Sequence, residues 1–155
     1  LWFYAYFEIT YLWIIVASIV FNYLVSKHLQ PGKHNSKFSK CVLFGGILAN
    51  VGLIFYFKYF NFFLDNVNHL FGTSLPLFSI LMPLGISFFT FQQISYLVDS
   101  YRGETVGYSF TDYALFVTFF PQLVAGPIVL HNEMIPQFND KNKKVLNPDM
   151  LSKGI

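Results

Sequence analysis

Four histidines, His28, His34, His69 and His131, are the groups in this chain that titrate near neutral pH and could move a proton. His28 and His34 lie in a lysine-rich stretch and His69 in a polar stretch between apolar runs, so all three read as solvated. His131 follows Pro127-Ile128-Val129-Leu130 at the end of an apolar run, where it reads as a surface histidine at a boundary. No Ser-His-Asp order, His-Glu-x-x-His pattern or phosphate loop accompanies them. A second group of functional side chains is Asp99-Ser100-Tyr101-Arg102-Gly103-Glu104, in which Arg102 is the only arginine of the chain and has acids on both sides. At a membrane boundary a tyrosine and an arginine act as anchors with a local ion pair. Just upstream, Ser87, Thr90 and Gln93 recur every three residues on one helical face, with Gln92 and Ser95 nearby. Polar side chains inside an apolar helix face the bundle interior, where they bond neighbouring helices or line a cavity. The single cysteine, Cys41, excludes an internal disulfide framework and a cysteine-only metal cluster, and no metal site is expected.

The elements that must position these residues are apolar. Of the 155 residues, 54% are hydrophobic, 21% aromatic and 12% charged, against about a quarter charged in soluble domains. A short soluble domain leaves too much of its surface wet to hide so much apolar area. The aromatic content excludes a disordered chain, and a net charge of +2 excludes a nucleic-acid binder. The composition is that of an integral membrane protein.

Uncharged runs at 9–26, 41–57, 66–98 and 113–130 place the spans. Ten Leu, Ile, Val or Phe residues in 41–57 supply roughly −3 to −6 kcal/mol towards insertion. Gly45, Gly46 and Gly52 are small enough to admit neighbouring helices. The reading is an all-α, polytopic transmembrane bundle with spans at about 9–26, 41–60 and 75–98 and a broken or re-entrant segment at 113–130. The stretch 26–40 holds Lys27, Lys33, Lys37 and Lys40 with no acid, which sets it on the cytoplasmic side. Residues 61–74 then lie outside, with Lys58 snorkelling among Tyr56, Tyr59 and Phe60. Pro121 and Gly126-Pro127 interrupt the last run. Broken backbone at membrane depth survives only when buried in protein or facing water, so this segment is expected to return to the cytoplasmic side. The chain opens without Met, and Asn147-Pro148-Asp149 reads as a helix start near its end. Residues 1–155 are therefore expected to be part of one membrane domain, cut at both ends.

Met82-Pro83-Leu84-Gly85-Ile86-Ser87-Phe88-Phe89-Thr90-Phe91-Gln92 with Tyr96-Leu97-Val98-Asp99-Ser100-Tyr101-Arg102-Gly103, and Phe119-Phe120-Pro121-Gln122-Leu123-Val124-Ala125-Gly126-Pro127-Ile128, resemble two hallmarks of the membrane-bound O-acyltransferases. Phe57-Lys58-Tyr59-Phe60-Asn61-Phe62-Phe63 and Asn22-Tyr23-Leu24 support the likeness, which covers essentially the whole chain. The Phe-Phe-Pro-Gln-Leu wording is most similar to the alginate O-acetyltransferase branch, and Leu130 departs from the basic residue expected after Gly-Pro-Ile.

The resemblance implies a multispan enzyme of a bacterial cytoplasmic (inner) membrane. It would move an acyl group, acetyl for this branch, from a cytoplasmic thioester donor (an acyl carrier protein or coenzyme A) to an exported polysaccharide or cell-envelope glycan. No bound cofactor is implied. A separate extracytoplasmic acyltransferase is the implied protein partner, and the bilayer is the other. The family's histidine is expected downstream, beside a tryptophan and a glycine, so no catalytic residue is assigned within the chain. Asp99, Tyr101, Arg102 and Gln122 are the implied tunnel or substrate contacts, with Arg102 suited to a donor phosphate. Pro83, Gly85, Pro121, Gly126 and Pro127 are the implied structural positions. D-alanyl transfer within the same family, a transporter and a non-enzymatic membrane scaffold are the alternatives.

Overall fold

A computed structural model describes residues 9–30, 36–83, 85–105, 107–119 and 130–139. Its elements are helices α1 (Ile9–Leu29) and α2 (Ser36–Ile54), one π-helical turn (Phe55–Tyr59), and helices α3 (Phe60–Phe71), α4 (Ile86–Arg102), α5 (Phe110–Thr118) and α6 (His131–Asn139). No strand occurs among the described residues.

Helix α1 is apolar around its whole circumference, as a helix must be when lipid or protein surrounds it. Its buried stripe is Ile15, Ile19, Asn22, Ser26 and Leu29, spaced by three or four. Trp13, Phe21 and Leu24 face outward. Two polar side chains, Asn22 and Ser26, lie on the inner stripe while large apolar ones face outward, the arrangement expected of a helix in lipid. Two continuous helical stretches, Tyr11–Leu29 and Lys37–Phe71, are long and apolar enough to cross a membrane.

The second stretch exceeds the 41–60 expected for it. Lys40 and Lys58 bracket its uncharged part, and eighteen residues at a rise of 1.5 Å put them about 27 Å apart, close to a hydrocarbon core of about 30 Å. The π-turn lies at the second lysine, where Lys58 Nζ sits 5.6 Å from the centre of the Tyr59 ring. Beyond it, the stretch expected as the outer loop 61–74 is helical to Phe71, and Gly72 at φ +62° ends it.

The third span differs more. The helix expected from residue 75 begins at Ile86. Pro76 and Pro83 lack the N–H a helix needs, and Gly85 at φ +70° turns the chain into α4. Residues 73–83 run without helix and are held by α3 instead. Asn61 donates to the carbonyl of Phe78 (2.6 Å) and accepts from its N–H (3.0 Å). One heptad on, Asn68 treats Leu75 the same way at 3.0 and 2.8 Å.

Helix α4 packs on α1, α2 and α5. Asn22, Asn50 and Gln93 meet at one level, and Val25, Gly46 and Leu97 at the next. So α1 and α4 run parallel, α2 runs against both, and the carboxy ends of α1 and α4 share a side. Gly46 makes this possible, since a Cβ there would stand 2.9 Å from Leu97 Cδ1 and 3.1 Å from Val25 Cγ1. Gly45 and Gly52, expected to admit neighbours too, have no such neighbour within 4 Å. The apolar core joins Ile15 and Ile19 of α1, Ile86, Phe89 and Tyr96 of α4, Tyr113, Phe116 and Val117 of α5, and Met134 and Ile135 of α6.

Of the broken segment expected at 113–130, α5 covers 110–118 as regular helix, starting from a capping box between Ser109 and Asp112. Residues 120–129, with Pro121, Gln122, Gly126 and Pro127, lie outside the described residues, as do His34 and the helix start at Asn147.

Candidate functional site

The polar residues of α4 fall into two groups. The first is a buried amide cluster halfway along the helix. Asn22 Nδ2 donates to Gln93 Oε1 at 2.8 Å, Ser18 Oγ donates to the same oxygen, and Asn50 Nδ2 donates to Asn22 Oδ1 at 2.6 Å. Three helices are thus joined by side-chain hydrogen bonds in an apolar setting. Thr90 Oγ1, Gln92 Oε1 and Gln93 Nε2 remain buried without a hydrogen-bond partner among the described residues. Buried orphans each cost about 1–3 kcal/mol, so α4 presents more polar groups than its described neighbours satisfy.

The second group closes the carboxy end of α4. Gly103 at φ +87° takes the left-handed position, its N–H reaching Ser100 O at 3.2 Å, while the Glu104 N–H reaches Asp99 O at 2.9 Å. This double cap ends the helix sharply and leaves the Asp99 side chain in the last turn. A carboxylate there faces the negative end of the helix dipole, and it is only 13% exposed. Its principal donor comes from another element. His131 Nε2, at the first position of α6, lies 3.0 Å from Asp99 Oδ2. Arg102, at i+3, sets its Nη1 3.7 Å from the other oxygen, Oδ1, and its side chain is 63% exposed. Ser95 Oγ adds a weak contact to Oδ2 at 3.4 Å.

His131 is therefore not the surface residue expected from its sequence neighbours. Its side chain is 1% exposed, with the rings of Tyr96 and Tyr108 5.6 Å away and that of Phe116 at 6.4 Å, all edge-on. Burial and the Asp112 carboxylate hold the Tyr108 hydroxyl above its ordinary range, so it stays neutral. The hydrogen-bond geometry assigns an N–H to His131 Nε2. Nδ1 has no hydrogen-bond partner among the described residues. A signal for this burial was present in the chain. His131, Met134, Ile135 and Phe138 have the i, i+3, i+4, i+7 spacing of a helix face, and all four turn inward.

The other expected residues fall as follows. Asp99 and Arg102 are brought together, and Tyr101 beside them is half-buried. Pro83 is buried and Gly85 forms the turn into α4. His28 and His69 are exposed as expected, His28 with its Nδ1 2.8 Å from Leu24 O. Leu130 is exposed. Among the described residues no group of three or more His, Cys, Asp or Glu could hold a metal ion.

The family model described as MBOAT, membrane-bound O-acyltransferase family, matches residues 2–153. The chain belongs to the membrane-bound O-acyltransferase family. Three relatives support this. A "Peptidoglycan O-acetyltransferase" of Helicobacter pylori is 40% identical over 100% of this chain and 34% of its own length. Proteins named "Probable alginate O-acetylase AlgI" from Pseudomonas aeruginosa and Azotobacter vinelandii are each 35% identical, over 92% and 90% of this chain and 28% and 29% of theirs. The chain thus spans about a third of the length of these curated relatives. No solved structure matches. Within the matched residues, the fold places Met82, Pro83 and Gly85 at the entry of α4, Asp99 to Arg102 at its last turn, and His131, the first residue of α6, against Asp99.

Proposed function

We propose that the protein containing this chain is a multi-pass enzyme of a bacterial inner membrane that transfers acetyl groups from a cytoplasmic thioester donor to an exported polysaccharide or cell-envelope glycan. The observation that carries this reading is 40% identity over the whole chain to a protein named for O-acetylating peptidoglycan. The relatives named for alginate support a polysaccharide acceptor more generally. All of these names specify acetyl, which favours acetyl over D-alanyl. On this reading α1, α2 and α4 cross the membrane. The lysines around residues 27–40 mark the cytoplasmic side, so the carboxy end of α4, on the side of Lys27, opens to the donor.

The chemistry needs a base for the acceptor hydroxyl and an acid for the departing thiolate, which one histidine can serve in turn. That histidine is assigned to a part of the protein beyond these residues. The present chain supplies walls and a mouth. Arg102 presents a planar cation to the phosphate of an acyl carrier or of coenzyme A. A separate extracytoplasmic transferase receives the acetyl group.

Deleting the parent gene and measuring base-labile acetate on the purified envelope and exported polysaccharides tests the reading. The expected result is loss of ester acetate from one glycan, restored by the gene in trans. Unchanged acetate on every glycan overturns it.

A further inference from the structure

The Asp99 carboxylate is divided between two partners of different kinds. Oδ2 points inward to His131 Nε2 at 3.0 Å, a charge-assisted hydrogen bond. Oδ1 points outward to Arg102 Nη1 at 3.7 Å, an ion pair beyond hydrogen-bond length. The Arg102 side chain is 63% exposed, so its guanidinium is accessible to an anion. The alternative geometry is close by. An aspartate and an arginine three residues apart on a helix can meet as a bidentate pair, which would occupy that face of the guanidinium. What opposes it is the N–H of His131, which anchors the other oxygen in a site sealed by Tyr96, Tyr108 and Phe116. Ser95, at 3.4 Å, is too weak to do so alone.

We propose that His131 is a positioning residue for the acyl donor: by holding Asp99 inward through Nε2, it keeps the Arg102 guanidinium free for the donor's phosphate. This rests on the acyl-transfer reading above. Without the histidine N–H, the carboxylate swings to Arg102 and competes with the phosphate. The effect falls on donor binding and not on the chemical step.

The test uses the full-length protein in proteoliposomes with acetyl-coenzyme A or an acetylated carrier, whichever the wild type accepts. His131→Leu is expected to raise the donor KM roughly tenfold, as loss of a charge-assisted contact does, with kcat little changed. His131→Gln places an amide N–H where Nε2 stands and keeps the KM near wild type. Most tellingly, Asp99→Leu combined with His131→Leu removes the competing carboxylate and brings the KM back towards wild type. A purely structural role predicts none of this recovery. An unchanged KM in His131→Leu, a fall confined to kcat, or a double variant as impaired as the single overturns the proposal. If His131→Leu does not accumulate, nitrogen-15 spectra of the histidine-labelled wild type decide. The resonance pair lost in His131→Gln must show a protonated Nε2, and an unprotonated Nε2 overturns the proposal. A wild type that accepts no thioester overturns the functional reading instead, and the spectra still report on the hydrogen bond.

Discussion

Arg102 is placed where a cation is most effective. It ends α4, so the partial negative charge of the helix terminus and Asp99 both hold it, yet its side chain is 63% exposed and its head stays accessible. An exposed pair of this kind adds at most about 1 kcal/mol to stability, so its replacement should be felt in function. Arg102→Lys keeps the charge but loses the planar fork. The expected result is a donor KM raised roughly five- to tenfold at unchanged expression and unfolding temperature. Equal KM values for the two proteins would remove Arg102 from the donor site. The cluster at residue scale was half legible in the sequence. An arginine between acids at the end of an apolar run marked Asp99 and Arg102 as a pair. His131 was hidden because its partner stands 32 positions away and only the spacing of its own helix face pointed inward.

Helices α1, α2 and α4 are joined by two devices at adjacent levels, an amide cluster and a glycine contact. At Gly46 the neighbours are the side chains of Val25 and Leu97, which would stand 3.1 and 2.9 Å from any Cβ placed there. Gly46→Val should therefore lower stability by about 1–3 kcal/mol through overpacking. Gly45→Ala and Gly52→Ala face open space and should be neutral or stabilising by up to about 1 kcal/mol. Thermal unfolding in detergent distinguishes them, and equal effects at all three positions would refute the close approach. Composition could not separate these glycines, since each lies in the same apolar run. Nor could the absence of charge show where a helix starts. The run 66–98 contains part of α3, a non-helical stretch held by Asn61 and Asn68, and most of α4. Pro83 and Gly85 were the local marks of that boundary. The π-turn at Phe55–Tyr59 left no mark beyond Lys58 and its tyrosines.

At the scale of the molecule, the helical class was legible in the long uncharged runs and in the scarcity of charge. Parallel α1 and α4 bring Arg102 to the side of Lys27, a pairing that neither stretch of sequence shows by itself. What no local pattern could convey is how α4 becomes the hub. That follows from polar side chains on three helices finding one another in a medium that offers them no other partner. If the lysines of that side face the cytoplasm, the donor binds there, at the carboxy end of α4. Inverted membrane vesicles containing the parent protein present that face to the medium. Supplied with a thioester of radiolabelled acetate outside, they should accumulate base-labile label on glycan in the lumen, and Arg102→Lys vesicles should need several-fold more donor for the same rate. Label transferred only when the donor is inside the vesicles, or at the same donor concentration for both proteins, would contradict it.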